Sequence, residues 1–308
     1  MISPQKVRFI KLGEKGRWEA SCIEEKTLRL GYESPHYADE RSGNWTAVRS
    51  FWLAARGGDE GAATRDVNQI RDFYELGEDD VWITFHTGRL YWCRASKDVI
   101  KLEDGSRIRR AVQGWSSTDV NGRQLRVENI DGRVTKVQGY RGTICSLETL
   151  EMQTYLVRKI NGLGVGEVER ARRSLHVLKA RIEHLIKGLW WHDFELLIDL
   201  VLAKSGWQRF SVMGKTQKDI DLDLYSPTTR KRAFVQIKSS TTREELLDYA
   251  SKFQSYPDFD EMYFIYHTSN SDLSDIAMEP HIHVWGLDQI SSLVIGAGLV
   301  EWLINKRS

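Results

Sequence analysis

The sequence has 308 residues, which is enough for two domains with separate hydrophobic cores. Its 44 Lys and Arg residues balance 43 Asp and Glu residues, and this argues against a protein that binds nucleic acid through overall charge alone. Three widely spaced cysteines without a C-x-x-C motif argue against a zinc ribbon or a disulfide framework. The start lacks an apolar signal core and no apolar run approaches ~20 residues, so we expect a cytoplasmic protein without membrane segments.

Residues 1–160 are predicted to form a first domain that consists mainly of β-strands. Alternation, β-branched and aromatic residues, and bounding turns predict six strands: KVRFIKL, WEASCI, TLRLGY, DVWITFHT, RLYWCRA and RIRRAVQGW. Two stretches with helical spacing, WTAVRSFWLAARGG and AATRDVNQIRDFYEL, interrupt them. The pattern predicts a small, strongly curved, barrel-like sheet flanked by helices.

Residues 161–189 are predicted to form a linker with one long helix. Apolar residues recur there in steps of three and four, as in a heptad seam: Val168, Ala171, Leu175, Leu178, Ile182, Leu185 and Leu189. Three heptads are compatible with a helix that docks on its own chain, which we favour, and with a spacer or a homodimer contact.

Residues 190–308 are predicted to form a second domain, in which the pattern changes period in a defined order. WWHDFELLIDLVLAKSG is helical and ends at a glycine, as C-terminal caps often do. WQRFSVMG, IDLDLYS and RAFVQIKS follow as strands, TREELLDYASKFQSY as a helix, EMYFIYHT and HIHVW as strands, and the chain closes as a helix. This order, α-β-β-β-α-β and beyond, predicts a mixed sheet covered by helices.

The second and third of these strands carry polar residues on a single face. Alternate residues of a strand point to opposite sides, so three carboxylates share one face: Asp219, Asp221 and Asp223. Gln236 and Lys238 share a face of the next strand. A turn centred on Thr228-Thr229 would place Asp221 opposite Gln236, and a slip of the register by one residue would bury the polar set.

Such a face could bind a divalent metal ion. Mg²⁺ prefers oxygen ligands, and Asp221, the Gln236 side chain and the main-chain carbonyl of Ile237 could supply them. Lys238 beside the metal could orient an attacking water or stabilise the charge that develops on a phosphate. The alternative is ordinary cross-strand pairing on an exposed sheet, worth about 0.2–1 kcal/mol per pair.

Asp221, the turn and the Gln-Ile-Lys run at 236–238 resemble the PD-(D/E)xK nuclease superfamily, and most closely its Mrr-like, type IV restriction branch. The resemblance covers residues 190 to about 306. It implies a restriction-endonuclease-like α/β domain in which Asp221, Gln236 and Glu195 bind Mg²⁺, for which Mn²⁺ can substitute, and Lys238 assists catalysis. Gln236 brings no negative charge, so Asp223 or Glu195 would have to compensate. Asp221 is the preferred aspartate, Asp223 the second choice, and Asp219 is expected to be peripheral.

The first domain is weakly similar to PUA-like modules, a group that includes readers of modified bases in type IV restriction enzymes. Such readers hold an extruded base between aromatic rings. The candidates for such a cage are Trp45, Trp52, Trp82, Trp92 and Tyr91. Strand alternation predicts that some of these rings belong to the core, and Trp45 is expected to be the most exposed. Arg107, Arg109 and Arg110 could contact phosphates or could end a solvated strand.

We therefore expect an α+β protein of two domains, a β-rich PUA-like barrel with helices and a restriction-endonuclease-like mixed sheet. Its expected activity is Mg²⁺-dependent endonucleolytic hydrolysis of DNA, in restriction of foreign DNA with modified cytosine. Cutting both strands predicts a homodimer, and the absence of a Walker motif predicts no nucleotide cofactor. The alternatives are a nuclease fold that binds nucleic acid without cutting it, and a nuclease for RNA or branched DNA.

Overall fold

The computed structural model describes residues 1–210, 220–271, 273, 276 and 278–308, so Asp219 lies outside the described residues. The chain divides into two compact units, Met1–Val165 and Gly166–Ser308, and both combine helices with β-sheet. The mixed α+β class predicted from the sequence is therefore confirmed. Within the described ranges no single helix is long and apolar enough to cross a membrane.

The first unit contains seven strands and six α-helices in its described residues. The strands are β1 (Val7–Ile10), β2 (Thr27–Leu30), β3 (Val81–His86), β4 (Arg89–Cys93), β5 (Ile100–Lys101), β6 (Arg107–Arg110) and β7 (Ile144–Ser146). The helices are α1 (Glu19–Glu24), α2 (Tyr37–Ser42), α3 (Trp45–Ala55), α4 (Glu60–Glu75), α5 (Gly132–Thr135) and α6 (Leu150–Ile160).

These strands form two sheets. One has the order β4-β3-β1-β7, with β1 and β3 parallel, and the other is the antiparallel sheet β2-β6-β5. The β3–β4 hairpin turns through Thr87 and Gly88, both with positive φ (46° and 72°), which is the turn geometry that favours glycine. Trp82 packs on one side of the four-stranded sheet and Ile83 on the other, as alternation predicts.

Three sequence-based predictions for this unit are wrong. The unit was predicted to consist mainly of β-strands in one barrel-like sheet, but its helices contain more residues than its strands, and the strands form two separate sheets. The stretch WEASCI was predicted to be a strand, but residues Glu19–Glu24 form α1, with only Cys22 fully buried. Arg107 and Arg109 were predicted to contact phosphates or solvent, but both side chains are completely buried on β6. Their charge is satisfied inside the unit, so only Arg110 of this run is exposed.

The second unit contains five strands and five helices in its described residues. The helices are α7 (Gly166–Lys187), α8 (Trp191–Lys204), α9 (Arg243–Phe253), α10 (Leu287–Gly296) and α11 (Val300–Arg307). The strands are β8 (Gln208–Arg209), β9 (Leu222–Ser226), β10 (Lys231–Thr241), β11 (Glu261–Ser269) and β12 (Ile282–Trp285). From α8 to β11 the elements follow the predicted order α-β-β-β-α-β. The closing helix is two helices instead of one.

The five strands form a single mixed sheet in the order β12-β11-β10-β9-β8. Strands β8, β9 and β10 form an antiparallel meander, and β10, β11 and β12 are parallel. One face of the sheet packs against α7, α8, α10 and α11 through residues such as Val235 and Ile265. The other face packs against α9 through residues such as Phe234 and Phe264. A sheet covered on both faces suits its parallel half.

The heptad helix α7 belongs to the second unit and is docked on it over only part of its length. Ile182 and Ile186 are buried against α10, α11 and the sheet, and Lys179 forms an ion pair with Asp288 of α10. Leu175 at the opposite end is 54% exposed. The C-terminal half of the helix therefore docks on its own chain, as favoured, and the apolar positions of the N-terminal half remain exposed.

Candidate functional site

The β9–β10 hairpin places the polar residues in the register that the sequence predicts. Leu222 pairs with Val235 and Asp223 with Phe234, and the N–H of Asp221 donates to the carbonyl of Val235 at 3.1 Å. Continuing this register sets Asp221 opposite Gln236. The loop of four residues between the strands is centred on Thr228 and Thr229, and the predicted turn is therefore confirmed.

Asp221 accepts hydrogen bonds from two groups of the neighbouring strand. Its Oδ2 lies 2.7 Å from Gln236 Nε2 and 2.6 Å from the backbone nitrogen of Ile237. Both bonds fall on one oxygen, so Oδ1 accepts no hydrogen bond from the part of the chain that the structure describes and could bind another ligand. Asp221, the residue that precedes β9, is exposed to solvent, whereas Gln236 is only 4% exposed. The pair thus has an open side and a buried side.

The surroundings of Asp221 contain both negative and positive charge. The pKa of the Asp221 carboxyl is raised above its ordinary value, chiefly by desolvation. The hydrogen bond from the backbone of Ile237 lowers this pKa, the negative charge of Glu195 raises it, and the positive charge of Lys238 lowers it. Glu195 lies in the first turns of α8, where its Oε2 is 3.6 Å from Nδ1 of His192. The fold therefore brings Glu195, the residue that the family resemblance placed in the metal site, close enough to act electrostatically on Asp221.

Lys238 is held as a cation by helix α9. Burial alone would lower the pKa of Lys238, but hydrogen bonds with Glu245 and Tyr249 and the nearby Glu245 charge keep the pKa above its ordinary value. Its Nζ lies 3.1 Å from Oε1 of Glu245 and 5.1 Å from the centre of the Tyr249 ring. A lysine that stays protonated can stabilise negative charge, but it is not a general base.

The donor set around Asp221 fits a hard divalent cation. Gln236 Oε1 is buried and has no hydrogen-bond partner among the described residues, so a ligand there would satisfy an otherwise costly buried acceptor. The N–H and C=O of a strand residue point to the same neighbouring strand, so the Ile237 carbonyl is directed to the side on which Asp221 lies. Within the described ranges no group of three or more His, Cys, Asp or Glu residues is arranged for a metal ion. A metal here would therefore depend on amide and main-chain oxygens together with carboxylates.

Asp223, the second choice for the metal-binding aspartate, is engaged elsewhere. Its two carboxylate oxygens accept from Nε and one terminal nitrogen of Arg232, at 3.0 and 2.6 Å. Arg232 in turn lies over the rings of Phe210 and Phe259. The structure therefore brings Asp221, Gln236, Ile237, Lys238 and Glu195 together and gives Asp223 a separate ion pair.

The aromatic residues predicted to form a base cage do not converge. Trp82 is fully buried against Phe73 and therefore belongs to the core, and its prediction as a cage residue is wrong. Trp92 donates its indole N–H to the carbonyl of Thr118 at 2.8 Å. Tyr91 lies near His86, with ring centres 6.4 Å apart.

The two remaining candidates lie on α3. Trp45 is only half-buried at the first residue of the helix, where its indole donates to Glu75 at 2.7 Å. Trp52 is 8% exposed and lines a cavity. Two of the five predicted cage residues therefore line cavities: Trp52 lines one together with Trp18 and Tyr32, and Trp45 lines another, of about 280 Å³, together with Tyr74.

Sequence reasoning missed two side chains that support the Asp221 cluster. Glu245 accepts from both Lys238 and the hydroxyl of Thr241, and its backbone N–H is capped by Thr242. The Thr-x-x-Glu spacing of a capping box marks this glutamate in the sequence, but its contact with Lys238 depends on the packing of α9 on the sheet. His192, beside Glu195, follows from helical i,i+3 spacing.

Comparison of the chain with family models, with curated proteins and with solved structures returns no match.

Proposed function

We propose that this protein is a Mg²⁺-dependent endonuclease of the PD-(D/E)xK type that hydrolyses DNA phosphodiester bonds. The observation that carries the proposal is the cluster of Asp221, the unsatisfied Gln236 oxygen and Lys238 on adjacent strands of a mixed sheet. On an ordinary solvent-exposed sheet face a glutamine oxygen would be hydrogen-bonded to water, whereas the Gln236 oxygen is buried without a partner among the described residues. The same cluster next to an acidic residue of the preceding helix, Glu195, is what a metal site of this type needs.

Each residue has a distinct role in this proposal. Asp221, Gln236 and the Ile237 carbonyl would hold the metal, and Glu195 would add negative charge to the site. Bound Mg²⁺ would lower the pKa of a coordinated water and offset charge on the scissile phosphate. Lys238, which remains protonated, would stabilise the negative charge of the transition state. Glu245 would hold Lys238 in place between α9 and β10.

A second candidate function is a nuclease fold that binds nucleic acid without cutting it. Two observations favour it: Gln236 contributes no negative charge, and Lys238 is already in contact with Glu245. RNA or branched DNA are the alternative substrates of a nuclease at this site, and Mn²⁺ is the alternative metal. DNA with modified cytosine, recognition by the PUA-like first unit and a homodimer are further parts of the proposal.

Substitution of Lys238 tests the proposal most simply. We expect Lys238→Ala to reduce cleavage of plasmid DNA by roughly 100- to 1,000-fold, because the variant lacks the ammonium group that would stabilise the negative charge of the transition state. Lys231→Ala is the matched control, since Lys231 lies on the same strand, is exposed and pairs with Glu261. Unmodified, cytosine-methylated and hydroxymethylated plasmids are compared, each with Mg²⁺, with Mn²⁺ and with EDTA.

The outcomes separate the candidates. Metal-dependent cleavage by the wild type and by Lys231→Ala, lost in Lys238→Ala, supports the nuclease. Wild-type rates in Lys238→Ala would refute the assigned site. DNA binding without cleavage in every arm would favour the binding module, and cleavage of all three plasmids alike would remove the dependence on modification.

A further inference from the structure

The first unit contains a cavity of about 560 Å³, a volume within the range of small-molecule sites. Its wall combines aromatic rings from three separate segments: Trp18 at the start of α1, Tyr32 after β2 and Trp52 of α3. Lys15 and Arg141 also line it.

The aromatic wall is fixed in place by its neighbours. The Trp18 ring lies beside Gly31, where an added Cβ would come within 3.1 Å of it, and Arg29 is over the ring at 4.1 Å. Tyr32 and Trp52 are in an edge-to-face arrangement with ring centres 5.3 Å apart. These contacts hold the three rings in a fixed arrangement along the cavity.

One polar group of this wall has no partner. Trp52 is 8% exposed, and its indole Nε1 has no hydrogen-bond partner among the described residues. An indole N–H can only donate, and this one is closed off from solvent and therefore from a group in the open cavity. Tyr32, in contrast, donates to Asp66, which also accepts from Arg56. Trp52 and Tyr32 therefore offer a ligand mainly apolar contact.

The rim of the cavity is positively charged. Lys15 and Arg141 have no hydrogen bond or ion pair with any residue in the described part of the chain, and Arg17 lies over the Trp18 ring. Glu14 is the one acidic residue among those that line the cavity. A ligand complementary to this site has a planar body and a negative charge.

We infer that this cavity binds a single nucleotide, with its base against Trp18, Tyr32 and Trp52 and its phosphate at Lys15 and Arg141. The nucleotide is either free or extruded from a DNA strand, since both present the same base and phosphate. The inference rests on the proposed function in one respect, namely that the first unit recognises nucleic acid. It replaces the dispersed cage candidates Trp45, Trp82, Trp92 and Tyr91 by one site.

Calorimetric titration of the full chain in EDTA tests the inference without cleavage. The probes are the four deoxynucleoside 5′-monophosphates, the corresponding nucleosides and inorganic phosphate. We expect saturable binding of at least one monophosphate, weaker binding of its nucleoside and of phosphate, and a loss of roughly tenfold or more in Lys15→Ala/Arg141→Ala. Lys101→Ala/Arg126→Ala, two exposed cations of the same unit that do not line the cavity, is the control with unchanged affinity.

A duplex that contains 2-aminopurine distinguishes the two sources, because its fluorescence rises when the base leaves the stack. A rise that the Lys15→Ala/Arg141→Ala variant abolishes assigns the site to an extruded nucleotide, and binding of monophosphates without such a rise assigns it to a free one. Trp18→Leu, checked for folding by circular dichroism, should weaken binding in either case. Absence of binding in both arms, or equal affinity in the charge variant, would overturn the inference. If Lys238→Ala loses cleavage but still binds the nucleotide, the result supports the nuclease site and shows that nucleotide binding in the first unit is independent of it.

Discussion

Two polar clusters in this protein differ in how completely their hydrogen-bonding groups are satisfied. In the first unit, Arg107 and Glu40 form an ion pair with both side chains fully buried. Arg107 also donates to the carbonyls of Tyr32, Ser34 and Gly105, and Glu40 accepts from Ser34 and Tyr74. In the second unit, Asp221 is accessible, and the amide oxygen of Gln236 is buried with no partner within the described ranges.

The difference separates a structural cluster from a candidate site. The charges of Arg107 and Glu40 compensate each other inside the protein, so this cluster requires no ligand. Removal of either side chain would leave the charge of the other buried without a partner. The Asp221 cluster combines an accessible carboxylate, whose pKa is raised by desolvation and by Glu195, with an unsatisfied oxygen. A bound cation would stabilise the charged form of Asp221 and would also give the Gln236 oxygen a partner.

The largest effect on stability is expected in the first cluster. We expect Arg107→Ala to lower the free energy of unfolding by about 3–5 kcal/mol, because the carboxylate of Glu40 would remain buried without its partner. Chemical denaturation followed by tryptophan fluorescence measures it. Arg110→Ala, an exposed neighbour on the same strand, should change it by no more than about 0.5 kcal/mol. If the two variants were equally stable, the Arg107–Glu40 pair would not be the structural cluster that its burial indicates.

A smaller effect is expected at the ion pair beside the candidate site. Asp223 and Arg232 are partly exposed, with 21% and 31% of their side-chain surface accessible. Asp223→Ala should therefore cost about 1 kcal/mol or less. It should also leave metal binding unchanged, because its carboxylate is occupied by Arg232. Loss of the metal response in Asp223→Ala would instead make Asp223 a ligand.

The sequence predicts the Asp221 cluster well because it depends on one hairpin. The period of two sets which residues share a face, and the turn at Thr228-Thr229 sets the register. Arg107 and Arg109 could not be placed in the same way, since arginines on a short strand have the pattern of a solvated edge. Their burial depends on Glu40, which comes from a distant helix, and on carbonyl groups such as that of Phe73.

The cavity wall illustrates the same limit. Trp18 belongs to a stretch whose alternation suggested a strand, but it precedes a short helix. Its contact with a surface shared by Tyr32 and Trp52 arises only when three segments pack together. Local patterns predict which residues share a strand face, whereas a site assembled from distant segments requires their tertiary contacts.

A Mg²⁺ titration of thermal unfolding for the wild type, Asp221→Asn and Gln236→Glu tests the proposed metal site most directly. If Asp221 binds the metal, Mg²⁺ stabilises the wild type, by about 2.7 kcal/mol at a hundred times the dissociation constant, and leaves Asp221→Asn unchanged. Gln236→Glu should be less stable than the wild type in EDTA, because a second carboxylate adjoins Asp221, and should gain more from Mg²⁺. Gln289→Glu, at an exposed position of the same unit, is the control. An equal response to Mg²⁺ in the wild type and Asp221→Asn, or none in the wild type, would contradict a metal site at Asp221.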